Sequence, residues 1–267
     1  MREGAKRLLF GLAGPGLYAR LHAWRFRHRL RQALASPRRA EGFFGPDLLA
    51  FTAALAPGQT VLDIGAFLGG STALFCRAVG PDGRVIAFEP VHHRALASLA
   101  RTLRWPARIE ALALSDTTGP AELVIPVRHG VPLYSQAGFA DSYAAAAEPG
   151  SGYAFQRQPT RRSRLDDWLE QAGLTPQAIG AIKIDVEGSE MGVFRGGEKF
   201  FRAFEGPLLC EFWFDTLPPP GWAWLRERGY HCRYLGKDGS WRPADTAAEM
   251  AEAARGETYG NFLLRRE

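Results

Sequence analysis

Three short apolar runs of this sequence each end in acidic or hydroxyl side chains. These ends are Asp63, Glu89-Pro90 and Ser115-Asp116, and they follow one another at intervals of 26 residues. That interval suits one strand–helix–strand unit. An acid at position 63 favours a ligand with a positively charged end, and Glu89 has the position from which an acid accepts both hydroxyls of a ribose. We therefore predict a nucleoside-containing ligand, with Ser115 and Asp116 near its base.

A glycine-rich turn follows the first of these acids, with candidate binding positions at Gly65, Ala66, Phe67 and Gly69. Glycine at 65 permits a sharp turn, and glycine at 69 lets the backbone approach a ligand closely. The spacing is not G-x-G-x-x-G, so the turn specifies no pyrophosphate cradle. Asp and Ser at strand ends also serve simply as turn residues or helix caps, which is the alternative interpretation for each site.

A second group of charges follows the apolar run at residues 181–184. It contains Lys183, Asp185 and Glu187, and Glu211 lies inside a later apolar run. Asp185 is the first candidate for a general base, with Glu187 or Glu211 assisting. Lys183 would polarise a bound substrate or pair with an acid. Clustered carboxylates could also bind a Mg²⁺-like ion, which we do not favour, and the structural alternative is that the acids stabilise a helix N-terminus. Bases ranked lower are His92, His93, His129 and His231.

Alternating strand and helix patterns must position these residues. The predicted strands are 59–64, 84–88, 108–114, 121–127, 181–185, 207–212, 231–235 and 259–264, and the main predicted helices are 71–79, 91–103, 189–204 and 222–228. This alternation is typical of an α/β protein with a doubly wound, mostly parallel sheet that is covered on both faces. The last two strands, with no clear helix between them, indicate an antiparallel hairpin at the sheet edge. Ligands of such sheets lie outside the carboxyl ends of the strands.

Residues 41–267 are predicted to form a single domain with a long loop at 128–158. The loop shows no hydrophobic period and is rich in Gly, Ala, Ser and Tyr. A stretch of this length is usually a lid or disordered. Candidates for contact with a substrate are Tyr134, Tyr143 and Tyr153, because loops often carry specificity. Flat aromatic faces also suit stacking on sugar rings, but core packing is the favoured interpretation for Trp213, Trp222, Trp224 and Trp241.

Residues 1–40 form a basic arm that we expect to be helical. Residues 1–39 contain ten Lys or Arg and one acid, so this segment carries +9 and the rest of the chain −4. Glycines and a proline at 11–16 interrupt its apolar stretch, which argues against a signal peptide. The alternative to a helix packed on the body is peripheral contact with an anionic membrane. The packed helix would use Leu17, Leu21, Trp24, Phe26 and Leu30.

Composition narrows the class of protein. With 46% hydrophobic residues the chain can bury a sizeable core, which excludes wholesale disorder. Three scattered cysteines exclude a disulfide framework or a zinc ribbon and favour the cytoplasm. No apolar run reaches about 18 residues, so a membrane-spanning helix is not expected. The mildly acidic body argues against a nucleic-acid partner.

Five segments carry a resemblance when they are taken together. They are D-x-G-A-x-x-G at 63–69, F-E-P at 88–90, L-S-D at 114–116, L-D-D at 165–167 and I-K-I-D-V-E-G-x-E at 182–190. This series resembles the FkbM family of S-adenosylmethionine-dependent methyltransferases over about residues 55–215, with a similar ending at Asn261-Phe262. The last block is the most specific element. Phe67 departs from the family, which often has Asn there, so a polar contact to the cofactor is in doubt.

The resemblance implies a class I methyltransferase fold, with a seven-stranded Rossmann-like sheet, and S-adenosylmethionine as cofactor. It implies that the methionine part lies among Asp63, Gly65 and Gly69, the ribose at Glu89, and the adenine near Ser115 and Asp116. Family members mostly methylate oxygens, often sugar hydroxyls, so the implied partner is a small-molecule or glycan acceptor. Two alternatives stay open: an NAD(P)-dependent oxidoreductase, which needs a pyrophosphate turn that this chain lacks, and a non-catalytic membrane-surface binding module on the same fold.

Overall fold

A computed structural model describes residues 20–128, 131–139 and 153–266, and two sheets form its centre. In chain order the strands are β1 (Thr60–Ile64), β2 (Arg84–Phe88), β3 (Ala107–Glu110), β4 (Ala113–Leu114), β5 (Gly119–Arg128), β6 (Val131–Pro132), β7 (Gly138–Phe139), β8 (Tyr153–Ser163), β9 (Ala181–Ile184), β10 (Leu208–Trp213), β11 (Tyr230–Leu235), β12 (Trp241–Pro243) and β13 (Tyr259–Arg266). The main sheet has the order β12-β11-β13-β10-β9-β1-β2-β3. Within this sheet the neighbouring strands β10, β9, β1, β2 and β3 pair in parallel, and β13 pairs antiparallel with both β10 and β11. The predicted mostly parallel sheet with antiparallel C-terminal strands is confirmed.

Helices cover both faces of the main sheet. They are α1 (residues 20–34), α2 (Pro37–Glu41), α3 (Pro46–Ala53), α4 (Gly70–Val79), α5 (His93–Leu103), α6 (Leu165–Ala172), α7 (Glu190–Gly196), α8 (Glu198–Ala203), α9 (Pro220–Arg226) and α10 (Ala247–Ala253), with 3-10 turns at Tyr134–Gln136 and Pro176–Ala178. Successive side chains of a strand point to opposite faces. Leu62 and Ile64 therefore join a core with α6 to α10, whereas Val61 joins a second core with α1, α3 and α4. Burial on both faces explains why the central strands read as continuous apolar runs.

The C-terminal strands are connected differently from a simple edge hairpin. β13 lies between β10 and β11, and β12 adds an eighth strand at the edge. Helix α10 connects β12 to β13, where the sequence analysis found no clear helical pattern. The signal that reveals this helix is a capping box, in which Thr246 Oγ1 accepts from the backbone N–H of Glu249 and the Glu249 carboxylate accepts from the N–H of Thr246.

The second sheet occupies part of the predicted loop at 128–158. Its strand order is β4-β8-β5-β6, and β7 also pairs with β5. The pairing of β5 with β8 runs from Gly119↔Arg162 to Arg128↔Tyr153, so residues 153–158 belong to a strand. The structure therefore narrows the predicted loop, while residues 129–130 and 140–152 lie outside the described residues. Local periodicity missed this sheet because its strands depend on pairing between distant segments.

The described part of the basic arm contributes to the core on one face of the main sheet. Leu30 and Ala33 of α1 are buried in the same core as β1 and α4, and Phe26 packs against that core. Trp24 does not pack in this way and is 57% exposed. Leu17 lies outside the described residues. Within the ranges that the structure describes, no helix combines the length and the apolar character needed to cross a membrane.

Candidate active site

The carboxyl ends of β1, β2 and β9 open onto a cavity of about 260 Å³, which we call the first cavity. These strands are neighbours in a parallel sheet, so the turns that follow them meet at one edge. The strand ends and the turns after them contribute Ile64, Gly65, Phe67, Phe88, Glu89, Pro90, Val91, Asp185, Val186, Glu187 and Ser189. The opposite wall consists of Leu112, Ala113, Leu114, Leu123, Tyr134, Ala137, Gly138 and Phe139. The charged side chains of this lining are all acidic.

Asp63 is not part of the wall of the first cavity. Its side chain is fully buried, and its carboxylate accepts hydrogen bonds from Ser71 Oγ at 2.8 Å and Thr72 Oγ1 at 2.6 Å. Both hydroxyls belong to the first turn of α4, so the acid ties β1 to that helix. Burial raises the pKa of Asp63, although the Lys183 ammonium and the two hydroxyl donors oppose the rise. The structure thus gives Asp63 a supporting position beside the turn that follows β1.

Lys183 is a buried cation between two acids. Its Nζ donates to the carbonyl oxygen of Gly65 at 2.9 Å and lies 3.0 Å from Asp185 Oδ2 and 3.8 Å from Asp63 Oδ1. Burial disfavours the ammonium, but the charges of Asp185 and Asp63 outweigh it, so the pKa of Lys183 is raised. Of its two predicted roles, the geometry favours pairing with acids over polarising an acceptor.

Gly65, Ala66 and Gly69 shape the turn after β1. Gly65 has φ +81°, and a Cβ there would collide with the carbonyl oxygen of Asp185. Gly69 has φ +89°, and a Cβ there would collide with Leu96 of α5. Ala66 is buried in a small cluster that also contains Leu96. Gly65 also lines the first cavity. Ala66 and Gly69 are small enough to let α5 pack closely against the turn.

Glu89 lines the first cavity and organises the two turns beside it. Its carboxylate accepts hydrogen bonds from the backbone N–H groups of Phe67 at 2.8 Å, Val91 at 2.7 Å and His92 at 2.6 Å. Burial raises the pKa of Glu89 to about 7, although these three donors oppose the rise. A carboxylate has about four acceptor positions, so one is left for a ligand hydroxyl. Pro90 lines the cavity next to it.

Phe67 begins a row of aromatic contacts at the edge of the first cavity. Its ring meets His92 edge-on at 5.0 Å and Phe26 of α1 at 6.3 Å, and His92 meets Tyr134 at 5.1 Å. Apolar packing therefore occupies the position at which the family that the sequence resembles often has Asn. Burial lowers the pKa of His92 to about 4, which makes it a neutral packing residue. Among the other bases considered, His129 lies outside the described residues.

The structure does not bring Ser115 and Asp116 to the first cavity. The predicted strand 108–114 ends early, because β3 stops at Glu110 and residues 113–114 pair with β8 of the second sheet. Ser115 is buried against α7, and Asp116 is exposed. Leu112 and Ala113 line the cavity in their place. The wall at this end is therefore apolar rather than polar.

A second cavity of about 560 Å³ adjoins the first at Glu187, which lines both. Glu187 has φ +54°, a backbone conformation that is uncommon for residues other than glycine. Its loop is held by Glu190, whose Oε1 accepts from the N–H groups of Val186 and Gly188, both at 3.2 Å. Burial raises the pKa of Glu187 to about 8, and the charges of Asp185 and Glu190 add to the rise. Glu187 is therefore a carboxyl group with a raised pKa at the junction of two cavities, which makes it a candidate for acid–base chemistry.

Glu211, the fourth predicted catalytic residue, lines neither of the two cavities. It is buried on β10, opposite Asn261 of β13. Burial raises the pKa of Glu211 to about 8, and the charges of Asp185 and Glu187 contribute. The structure thus separates the four predicted catalytic residues, with Asp185 and Glu187 at the first cavity and Lys183 and Glu211 supporting them. Within the described ranges, no three His, Cys, Asp or Glu side chains are arranged to hold a metal ion.

Sequence reasoning missed most of the second-cavity wall. The residues that line it are Pro126, Gln136, Phe155, Glu187, Gly188, Glu190, Met191, Phe212, Trp213, Asp215, Thr216, Pro219, Pro220 and Gly221. Of the four C-terminal tryptophans, Trp213 lies in this wall, whereas Trp222 is buried and donates to the carbonyl oxygen of Ala244 at 2.8 Å. Among the loop tyrosines, Tyr134 lines the first cavity, and Tyr143 and the side chain of Tyr153 lie outside the described residues.

Comparisons with known proteins give the site a context. A curated relative, 2-methyl-6-phytyl-1,4-hydroquinone methyltransferase from Synechocystis sp., is 26% identical over 199 residues, which are 66% of this chain and 60% of that protein. The crystal structure of methyltransferase FkbM from Methylobacillus flagellatus KT has a TM-score of 0.48 and 13% identity, over 86% of this chain and 50% of its own. The O-methyltransferase TomG from Streptomyces achromogenes is involved in tomaymycin synthesis and was solved in complex with S-adenosylmethionine. It has a TM-score of 0.38 and 14% identity, over 83% of this chain and 79% of its own.

This chain thus spans about three fifths of the length of that curated relative and half of the M. flagellatus chain. The model of the methyltransferase FkbM domain matches residues 63–232, which is more than half of the chain. That match contains Asp63, Glu89, Asp185, Glu187 and Glu211. The chain belongs to the FkbM family of methyltransferases.

Proposed function

We propose that this chain is an S-adenosylmethionine-dependent methyltransferase that acts on a hydroxyl group of a sugar, glycolipid or natural product. Membership of the FkbM family supports methyl transfer. The observation that carries an oxygen acceptor is Glu187, a carboxyl group that lines two adjoining cavities and has its pKa raised to about 8 by burial. In this proposal the first cavity takes the donor and the second takes the acceptor.

The residues of the first cavity fit a cationic nucleoside. When bound, S-adenosylmethionine supplies an electrophilic methyl group on a positively charged sulfur. Glu89, Asp185 and Glu187 line this cavity, and no Lys, Arg or His is among the described residues of its wall. Such a set stabilises a positive charge and repels a pyrophosphate. The apolar wall at Leu112 and Ala113 suits a flat base. These features favour the methyl donor over the NAD(P) of the alternative oxidoreductase.

Removal of the acceptor proton is assigned to Glu187. A sugar hydroxyl is a poor nucleophile and needs a base at hydrogen-bond distance. The Asp185 carboxylate is already engaged in an ion pair with the Lys183 ammonium at 3.0 Å. Glu187 lies between the two cavities, and burial, with the charges of Asp185 and Glu190, raises its pKa to about 8. The proposal therefore reverses the predicted order, with Glu187 as the base and Asp185 as a positioning residue.

The proposal is tested with purified protein, methyl-labelled S-adenosylmethionine and a panel of neutral sugars, glycolipids and phenolic natural products. We expect label in an acceptor, a mass gain of one CH₂, and S-adenosylhomocysteine as the second product. Binding of NAD without binding of S-adenosylmethionine in calorimetry would establish the oxidoreductase alternative instead. Vesicle binding without donor binding would favour the non-catalytic membrane module.

We also propose that α1 makes peripheral contact with an anionic membrane surface. Arg20, Trp24, His28 and Arg31 recur at helical spacing and are exposed, while Leu30 faces the core. A tryptophan beside arginines suits the headgroup region of an anionic bilayer. A cytoplasmic location belongs to the same proposal, and the three buried, unpaired cysteines support it.

Vesicle sedimentation tests the membrane contact. We expect binding to phosphatidylglycerol vesicles, less binding to phosphatidylcholine vesicles, and a loss of about tenfold in Trp24→Ala, since one interfacial aromatic side chain contributes roughly 1–2 kcal/mol. Leu217→Ala removes an apolar side chain that is 51% exposed elsewhere and serves as the control. Equal binding to both lipids, or unchanged binding of Trp24→Ala, rejects the contact.

A further inference from the structure

The second cavity has a charge pattern that narrows the class of ligand it can hold. Its acidic side chains are Glu187, Glu190 and Asp215, and the described residues of its wall include no Lys, Arg or His. A carboxylate or phosphate in this space would face acidic side chains, with Asp215 exposed at the wall, and find no cation among these residues. A neutral ligand avoids that penalty. The lining therefore discriminates by repulsion as well as by attraction.

The apolar part of the wall favours a ligand ring that has one apolar face. Trp213 ends β10, and its ring lies 5.7 Å from that of Tyr259. Trp213 lines the cavity, and its Nε1 atom is buried and has no hydrogen-bond partner among the described residues. Phe155 of the second sheet and Met191 of α7 add further apolar surface. Aromatic faces of this kind pack well against the C–H face of a sugar ring.

Polar groups in the same wall suit hydroxyls. Gln136 and Thr216 each offer a donor and an acceptor. Glu187 lies where the second cavity meets the first, so a hydroxyl bound there faces the donor cavity. A ligand with one apolar face and several hydroxyls would satisfy the wall better than a purely apolar ligand of the same size.

We propose that the second cavity is an acceptor site for an uncharged, hydroxyl-bearing ring and that it excludes uronic acids and phosphate esters. This inference rests on the proposed function, because it takes the donor to lie across Glu187. It adds a selectivity that family membership does not define: charge exclusion by Glu190 and Asp215, and ring recognition by Trp213.

Binding measurements on the full chain with S-adenosylhomocysteine present test this assignment. The probes are phenyl glucopyranoside, galactopyranoside and mannopyranoside, each compared with its uronide and its 6-phosphate by saturation-transfer NMR. We expect at least one neutral pyranoside to bind about tenfold more tightly than its two anionic forms. Asp215→Lys should raise the affinity for the anionic forms. Anionic probes that bind as well as neutral ones, or no binding of any neutral probe, would overturn the proposal.

Trp213→Leu tests the aromatic wall. We expect about a tenfold loss of pyranoside affinity, because the ring surface is removed while the cavity stays apolar. Trp241→Leu makes the same change on β12, away from both cavities, and should leave binding unchanged. Calorimetry with S-adenosylhomocysteine separates the two levels of the proposal. If the wild type fails to bind it, the proposed function fails; if it binds but probe selectivity is absent or both Trp variants bind alike, only the acceptor assignment fails.

Discussion

Lys183 Nζ lies 3.0 Å from Asp185 Oδ2, and the same nitrogen donates to the carbonyl oxygen of Gly65 at 2.9 Å. One buried cation therefore joins the turn after β1 to the turn after β9. This arrangement makes Lys183 a support of the site. It also explains why an acid that follows a central strand is less available as a base than its sequence position indicates.

Lys183→Met should destabilise the fold strongly. The substitution keeps the side-chain volume but leaves the buried Asp63 carboxylate without its neighbouring cation, and loss of one partner of a buried ion pair costs about 3–5 kcal/mol. Urea unfolding measures the loss. Asp185→Asn is the comparison, and it should cost less, because the Asp185 side chain is 33% exposed. An unchanged urea midpoint in Lys183→Met would show that the ion pair is not structural.

Glu187→Gln should lower turnover about 10²- to 10⁴-fold, as loss of a general base does. Binding of S-adenosylhomocysteine, measured by calorimetry, should stay within a few-fold of the wild type. The wild-type rate should rise with pH up to about 8, because the carboxylate form is the active one and burial raises the pKa of Glu187 to about 8. The residual activity of Glu187→Gln should lack this rise.

Asp185→Asn distinguishes the two candidate bases. We expect a smaller loss of turnover than in Glu187→Gln, with the rise toward pH 8 retained. The opposite result, in which Asp185→Asn abolishes turnover and Glu187→Gln stays within a few-fold, would return the role of base to Asp185.

The sequence predicts which residues lie at the carboxyl edge of the sheet better than it predicts which of their side chains line the cavity. Glu89 and Asp185 lie at the first cavity because turns after adjacent parallel strands must meet, a rule that depends only on strand order. Asp63 precedes the turn, and its side chain points into the protein, where it accepts hydrogen bonds from two hydroxyls of α4. No sequence motif predicts this contact. Strand periodicity does not show which way a residue near a strand end faces.

Ser115 shows that the sequence pattern also does not reveal which sheet a strand joins. The apolar pattern continues from 108 to 114, but the chain leaves the main sheet after Glu110 and joins β8. Continuous apolar residues report burial, not the sheet that provides it. The role of Trp213 is equally ambiguous from sequence, because an aromatic residue at the end of a strand suits either a hydrophobic core or a cavity wall. The second sheet depends on the non-local pairing of β5 with β8, and it contributes Leu123 to the first cavity and Pro126 and Phe155 to the second.

Stability should fall as pH rises from about 5 to about 8. Burial raises the pKa of Glu211 from 4.5 to about 8, so in this window the folded protein keeps a proton that the unfolded chain releases. Rising pH therefore favours unfolding, and the effect is fully expressed above the folded pKa. Glu211→Gln mimics the protonated form and should reduce the difference in unfolding free energy between pH 5 and pH 8 by roughly 1–3 kcal/mol.

Urea titrations at several pH values measure this difference. Glu227→Gln is the control, because the Glu227 side chain is 75% exposed. The assignment fails if the wild type is equally stable at pH 5 and pH 8, or if Glu227→Gln flattens the profile as much as Glu211→Gln does.

Gly65→Ala should be far more damaging than the same change at Gly58. The two glycines have nearly the same backbone conformation, with φ of +81° and +82°, so each alanine pays the same left-handed strain of about 1 kcal/mol. They differ in their surroundings: a Cβ at Gly58 meets nothing within 4 Å, whereas one at Gly65 collides with the carbonyl oxygen of Asp185. To make room, the turns after β1 and β9 must separate, which also stretches the bond from Lys183 to the Gly65 carbonyl. We therefore expect Gly65→Ala to lose about 3 kcal/mol or more in urea unfolding, together with binding of S-adenosylhomocysteine, and Gly58→Ala to lose about 1 kcal/mol and keep binding. Equal losses in the two variants would mean that close approach of these turns is not what position 65 requires.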